Sequence, residues 1–179
     1  VNLSLLNGNS REIEAALQEH RIDLGLVEGI CRLPNLRYTT FLQDELVAVV
    51  HTGSKLSLPD EITPEDLSRI PLVLRERGSG TLDVFERALS EHNMKLSSLN
   101  VLLYLGSTES IKLFLEHTDC IGIVSIRSIS RELLSGTFRV IEIKGMPMLR
   151  EFCFAQPQGQ ESGLSQVLMQ FAMHHNKKL

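Results

Sequence analysis

The sequence predicts an α/β fold built as two lobes of like design. Two observations carry this: short apolar runs alternate with amphipathic stretches of helical spacing, and one strand-helix-strand plan occurs twice. Apolar residues alternate or run briefly over residues 1–6, 22–27, 46–50, 72–74, 101–105, 121–124, 138–143 and 152–155, each short enough for a strand. Between them, Ile13, Ala16 and Leu17 share one helical face, as do Leu82, Phe85 and Leu89, then Ile111, Phe114 and Leu115, and finally Leu164, Val167, Leu168 and Phe171. Strands alternating with helices in this way build βαβ units and parallel sheets.

The repeated plan covers residues 1–27 and 99–125. Each copy has an apolar strand, then Gly8 or Gly106, then a helix carrying Ile13 or Ile111 that ends at Glu19-His20 or Glu116-His117. The next strand reads Asp23-Leu24-Gly25-Leu26-Val27 in one copy and Cys120-Ile121-Gly122-Ile123-Val124 in the other. Two such units predict two lobes with a cleft between them.

A chain of 179 residues can bury one good core or two small ones. With 42% hydrophobic and 22% charged residues it has the composition of an ordinary globular protein, and no apolar run reaches the ~18–20 residues of a membrane span. Residues 1–9 lack the basic and apolar regions of a secretory signal. The net charge of −4, with Lys177-Lys178 as the one adjacent basic pair, is a poor footprint for gripping nucleic acid. The odd set Cys31, Cys120 and Cys153 reads as three reduced, buried thiols in a cytoplasmic protein.

The loops that follow strands carry the candidate chemistry. Leu72-Val73-Leu74-Arg75-Glu76-Arg77-Gly78-Ser79-Gly80-Thr81 runs from a strand through a glycine-rich turn into a helix over residues 81–92. The free amides of that helix start, beside the Ser79 and Thr81 hydroxyls, would satisfy an anion such as a carboxylate; the plain alternative is a turn and an N-cap. Gly106-Ser107-Thr108-Glu109-Ser110 repeats the design, with Ser107 as cap and Thr108 adding a hydroxyl. Glu28-Gly29 follows a third strand, Glu28 being either a ligand acceptor or a solvated loop acid. In open α/β sheets ligands sit beyond the carboxyl ends of the strands, where such loops converge.

Catalytic patterns are missing. His20, His51 and His117 have no motif partner, Gly78-Ser79-Gly80 lacks a phosphate-loop lysine, and no paired cysteine or nucleophile-elbow pattern occurs. Asp44 and Glu45 are neighbours in an extended segment and so point to opposite faces, which favours a structural role. The reading is binding without chemistry: no enzyme, no cofactor and no metal.

Ile22-Asp23-Leu24-Gly25-Leu26-Val27-Glu28-Gly29, residues 42–50, Leu74 to Thr81 and Leu105 to Lys112 together resemble the effector-binding domain of LysR-type transcriptional regulators, which has the type 2 periplasmic-binding-protein fold. The resemblance implies lobe I from residues 1–48 plus 151–179 and lobe II from 49–150, joined by a two-strand hinge. It implies an effector-sensing domain that binds a small polar or anionic metabolite through Ser79, Gly80, Thr81, Ser107, Thr108, Glu28 and Gly29. It also implies homodimers or homotetramers, with the helices over residues 9–20 and 81–92 as candidate dimer surfaces, and DNA contact only through a helix-turn-helix domain that this chain does not contain. The chain is expected to start at the second strand of lobe I. Arg77 and Leu82 stand where the family often has Pro and Arg, which lowers the expectation of a highly charged effector, with Arg75 and Arg77 as replacement cations. The other readings are a transport solute-binding protein of the same fold, which would carry an export signal and act as a monomer, and an enzyme on a related scaffold, which would turn its ligand over.

Overall fold

The computed structural model describes residues 3–28, 33–159 and 163–176. The described elements run α1 (Ser10–Gln18), β1 (Gly25–Glu28), β2 (Leu36–His51), β3 (Glu61–Ile62), β4 (Leu72–Arg75), α2 (Gly80–Glu91), β5 (Val101–Leu105), α3 (Thr108–His117), β6 (Ile121–Ser125), α4 (Ser130–Leu134), β7 (Phe138–Ile143), β8 (Met148–Pro157) and α5 (Gly163–Asn176). They fall into two compact units, one of Val1–Gln43, Gly78–Gly80 and Glu151–Leu179, the other of Asp44–Arg77 and Thr81–Arg150. The long strands β2 and β8 both pass from one unit into the other.

In the first unit β1 pairs antiparallel with β8, from Gly25 opposite Ala155 to Glu28 opposite Phe152. Helix α1 lies on β1, and Ile13, Leu17, Val27, Leu36 and Ala155 form the core between them. The helix starts at a capping box: the Asn9 side chain accepts from the Glu12 amide and the Glu12 carboxylate accepts from the Asn9 amide.

The second unit contains a parallel trio with β4 between β5 and β6. β2 extends it, running antiparallel to β6 and also to β7, and β3 runs parallel to β7. The expectation of parallel sheets therefore holds for the strands joined by α2 and α3, while the strands that pass between units are antiparallel to their neighbours. Strand β4 is buried on both faces. Leu72 and Leu74 join the cluster of Leu82, Phe85 and Leu89 from α2, and Val73 joins the cluster of Ile111 and Leu115 from α3. This is why its sequence reads as a continuous apolar run and does not alternate with polar residues.

The repeated plan has a structural counterpart. A Cβ on Gly25 would lie 2.7 Å from the Ile13 side chain and 3.1 Å from Leu17, and a Cβ on Gly122 would lie 2.9 Å from Ile111 and 3.1 Å from Leu115. In each copy an Ile and a Leu one turn apart press the helix onto a glycine in the following strand.

Two expectations fail. Residues 3–6 form no strand: Leu3 and Leu5 are 84% and 96% exposed, and a strand exists only where a neighbour takes up its backbone groups. Helix α5 forms, but Leu164, Val167, Leu168 and Phe171 are exposed while Ser165 is buried, so its apolar stripe is not the face turned to the core. The short helix α4, the two-residue strand β3 and the first half of β2 add to the elements that the apolar pattern predicts.

Candidate functional site

In the second unit the carboxyl ends of β4, β5 and β6 share one edge because the three strands are parallel. Arg75 is level with Leu105, so the loops into α2 and α3 leave side by side, and Ser125 ends the third strand at the same edge. Ser107 caps α3: its hydroxyl accepts from the Ser110 amide at 3.1 Å and shares a 2.8 Å hydrogen bond with the Ser110 hydroxyl. Thr108 follows as the first residue of the helix, and both side chains are half-buried. Thr81 is buried, and its hydroxyl accepts from Arg150 Nη1 at 2.9 Å.

The remaining candidates lie in the first unit. Ser79 is buried. Gly78 has a φ of 92°, a left-handed turn that favours glycine. Gly80 sits against the backbone of Glu28, where a Cβ would come within 2.2 Å of the Glu28 carbonyl oxygen. Ser10 fixes that stretch by donating to the Glu28 carbonyl at 2.7 Å and accepting from the Glu28 amide at 3.2 Å. The structure thus brings Glu28 and Gly80 together. Gly29 and Cys31 lie outside the described residues.

Sequence reasoning gave Asp44 a structural role but missed its partners. Asp44 Oδ2 accepts from Arg150 Nε at 2.8 Å and Nη2 at 2.7 Å, with the two side chains 0% and 3% exposed. Asp44 Oδ1 accepts from the Ser125 hydroxyl at 2.9 Å and has Arg127 Nε at 3.9 Å. Glu45, the next residue, is exposed, as the alternation of an extended chain requires. The available signal was an Arg near the start of the apolar strand β8, but nothing local shows that its partner lies 106 residues earlier.

The replacement cation Arg75 is occupied: Nε and Nη2 donate to Glu76 at 2.9 and 3.2 Å, and Nη2 reaches the Gly106 carbonyl at 3.3 Å. Among the described residues no group of His, Cys, Asp and Glu side chains could hold a metal ion. A cavity of about 400 Å³ in the first unit, bordered by residues 3–8, 21–26 and α5, contains none of the candidate residues, and neither does one of about 500 Å³ in the second, between β2 and β7.

Cys120 and Cys153 are free and buried. Burial, with Asp119 adding to it, pushes the Cys120 thiol up to about 11. Cys120 is therefore expected to resist a maleimide at pH 8 in the folded protein and to react once urea unfolds it, as read by peptide mass mapping; native labelling at the rate of a free thiol would contradict this.

A family model described as LysR substrate binding domain matches residues 1–177. The uncharacterized HTH-type transcriptional regulator YeiE of Escherichia coli strain K12 is 33% identical over 141 residues, covering 79% of this chain and 47% of its own length. The chain spans about half the length of the curated relatives it matches. Among solved structures, the Synechocystis PCC6803 CcmR regulatory domain in complex with 2-PG superposes with a TM-score of 0.81 at 24% identity, covering 96% of this chain and 81% of that one. The effector binding domain of QuiR in complex with shikimate gives 0.80 at 20%, covering 96% and 79%. These two likenesses establish the shared α/β fold. Among the described residues no helix is long and apolar enough to cross a membrane.

Proposed function

Since the chain belongs to the LysR substrate binding domain family, we propose that it is the effector-sensing part of a transcriptional regulator, with residues 1–48 plus 151–179 as lobe I, residues 49–150 as lobe II and a small polar or anionic metabolite as ligand. The observation that carries this reading is the shared edge of β4, β5 and β6, where two helix starts and the Ser107 and Thr108 hydroxyls meet. Effector binding shifts the regulator between two states because the ligand has different affinity for each. Ser79, Gly80, Thr81 and Glu28 with Gly29 complete the ligand-binding set. The buried positions of Ser79 and Thr81 give them a shaping role, leaving Ser107 and Thr108 to make the polar contact.

The regulator works in the cytoplasm as a homodimer or homotetramer, with the helices over residues 9–20 and 81–92 as pairing surfaces, and it reaches DNA through a separate helix-turn-helix domain. It acts by binding, without turning its ligand over. The likeness to YeiE, a transcriptional regulator, supports this over a transport role.

The test is a thermal-shift screen of the full natural protein against metabolite acids, sulfate, phosphate and amino acids, since a ligand that binds only the folded state raises the melting temperature by mass action. Ser107→Ala with Thr108→Ala is expected to abolish the shift given by any hit. Loss of the Ser107 cap costs about 1 kcal/mol, so the variant stays folded at 25 °C. An undiminished shift in the double variant removes the site; release of a reaction product would replace sensing with catalysis.

A further inference from the structure

Arg127 follows β6 in the short helical segment Ile126–Ile129, at the same edge of the parallel trio as Ser107 and Thr108. Its own amide donates to the Ser125 hydroxyl at 3.2 Å, which holds the backbone in place. Its guanidinium lies 3.9 Å from Asp44 Oδ1 and its side chain is 58% exposed, whereas the Asp44 side chain is fully buried. Asp44 is already neutralised by Arg150, so two guanidinium groups face one carboxylate and the outer one retains its positive charge.

Two other cations of this unit near the edge are matched. Arg75 is held by Glu76, and Lys112 Nζ is held by Glu132 at 2.5 Å and Glu109 at 3.1 Å. The same network ties Arg127 to a helix start, since Asp44 binds Arg150 and Arg150 donates to Thr81 in the first turn of α2. The positive ends of α2 and α3 therefore add to the field of the exposed guanidinium.

We propose that Arg127 is the oxyanion receptor of the effector site, its guanidinium oriented from behind by Asp44 so that its outer N–H groups take a carboxylate or phosphate of the ligand. This rests on the effector-sensing reading and names the ligand class within it. A guanidinium offers a planar fork that fits either group bidentately, and desolvation beside a protein wall strengthens the contact.

The experiment is titration calorimetry of the full natural protein with inorganic phosphate, sulfate, 2-PG and shikimate. Four forms are compared: unaltered, Arg127→Ala, Arg127→Lys and Ser107→Ala/Thr108→Ala. Arg127 is exposed, so circular dichroism and the melting temperature should be unchanged in both Arg127 variants. Arg127→Ala is expected to weaken the oxyanion that binds by about 10–100-fold, the scale of a charge-assisted hydrogen bond. Arg127→Lys should fall between, because it keeps the charge and loses the fork. Affinity unchanged in Arg127→Ala but lost in the Ser107/Thr108 variant overturns the receptor assignment and leaves the sensing reading intact. A protein that binds nothing in either assay overturns both.

Discussion

Asp44→Ala is expected to lower the unfolding free energy by about 3–5 kcal/mol, because it leaves the Arg150 guanidinium buried without its carboxylate. Arg150 gives Asp44 two hydrogen bonds and Thr81 a third, and its side chain is 3% exposed, so water cannot replace the missing partner without opening the second unit. At roughly 2–4 °C per kcal/mol for a chain of this size, the melting temperature should fall by about 6–20 °C. Urea unfolding followed by circular dichroism measures it. The companion variant Asp44→Leu with Arg150→Met removes both charges together and should recover most of the loss, since a buried ion pair contributes little net stability over an apolar pair of similar volume. A loss below ~1 kcal/mol in Asp44→Ala would mean that Arg150 reaches solvent and that the network is dispensable.

Gly80→Ala is expected to be the most damaging of the small substitutions in the ligand loops. The added Cβ would stand 2.2 Å from the Glu28 carbonyl oxygen and 2.6 Å from its carbon, both backbone atoms that cannot swing aside. Relief requires the 78–80 turn to lift from Glu28, and overpacking of this kind costs about 1–3 kcal/mol. The expected signature is a lower melting temperature together with faster hydrogen exchange at the Glu28 amide, which now donates to Ser10. Gly106→Ala is the matched comparison. Nothing lies within 4 Å of a Cβ there, so that variant should stay within about 0.5 kcal/mol of the parent protein. Equal stability of the two variants would show that the Glu28 contact does not hold the loop.

The two glycines look alike in sequence, each lying between a strand and a helix and preceding a hydroxyl residue, yet close approach of another chain segment makes only Gly80 obligatory. Ser107 behaves as the sequence indicates because an N-cap is a local contract between a side chain and an amide three residues on. Thr81 carries a similar hydroxyl near a helix start, but the structure commits it to Arg150. A partner 69 residues away leaves no periodic trace around Thr81, so its burial and its engagement could not be read from its neighbours.

By itself the sequence determined what depends on neighbours within a turn or a few strand residues. That covers the alternation of strands and helices, the inward faces of α1, α2 and α3, the α3 cap, and the paired Ile, Leu and Gly positions that seat one helix on one strand in each unit. Tertiary structure decided whatever needs a partner distant in the chain. Residues 3–6 have a strand pattern and no strand, α5 has an apolar stripe that is not buried, and Asp44 and Arg150 neutralise each other across 106 residues. Periodicity reports which side chains are suited to leave water, whereas pairing of backbone groups and compensation of buried charge are settled only where the chain meets itself.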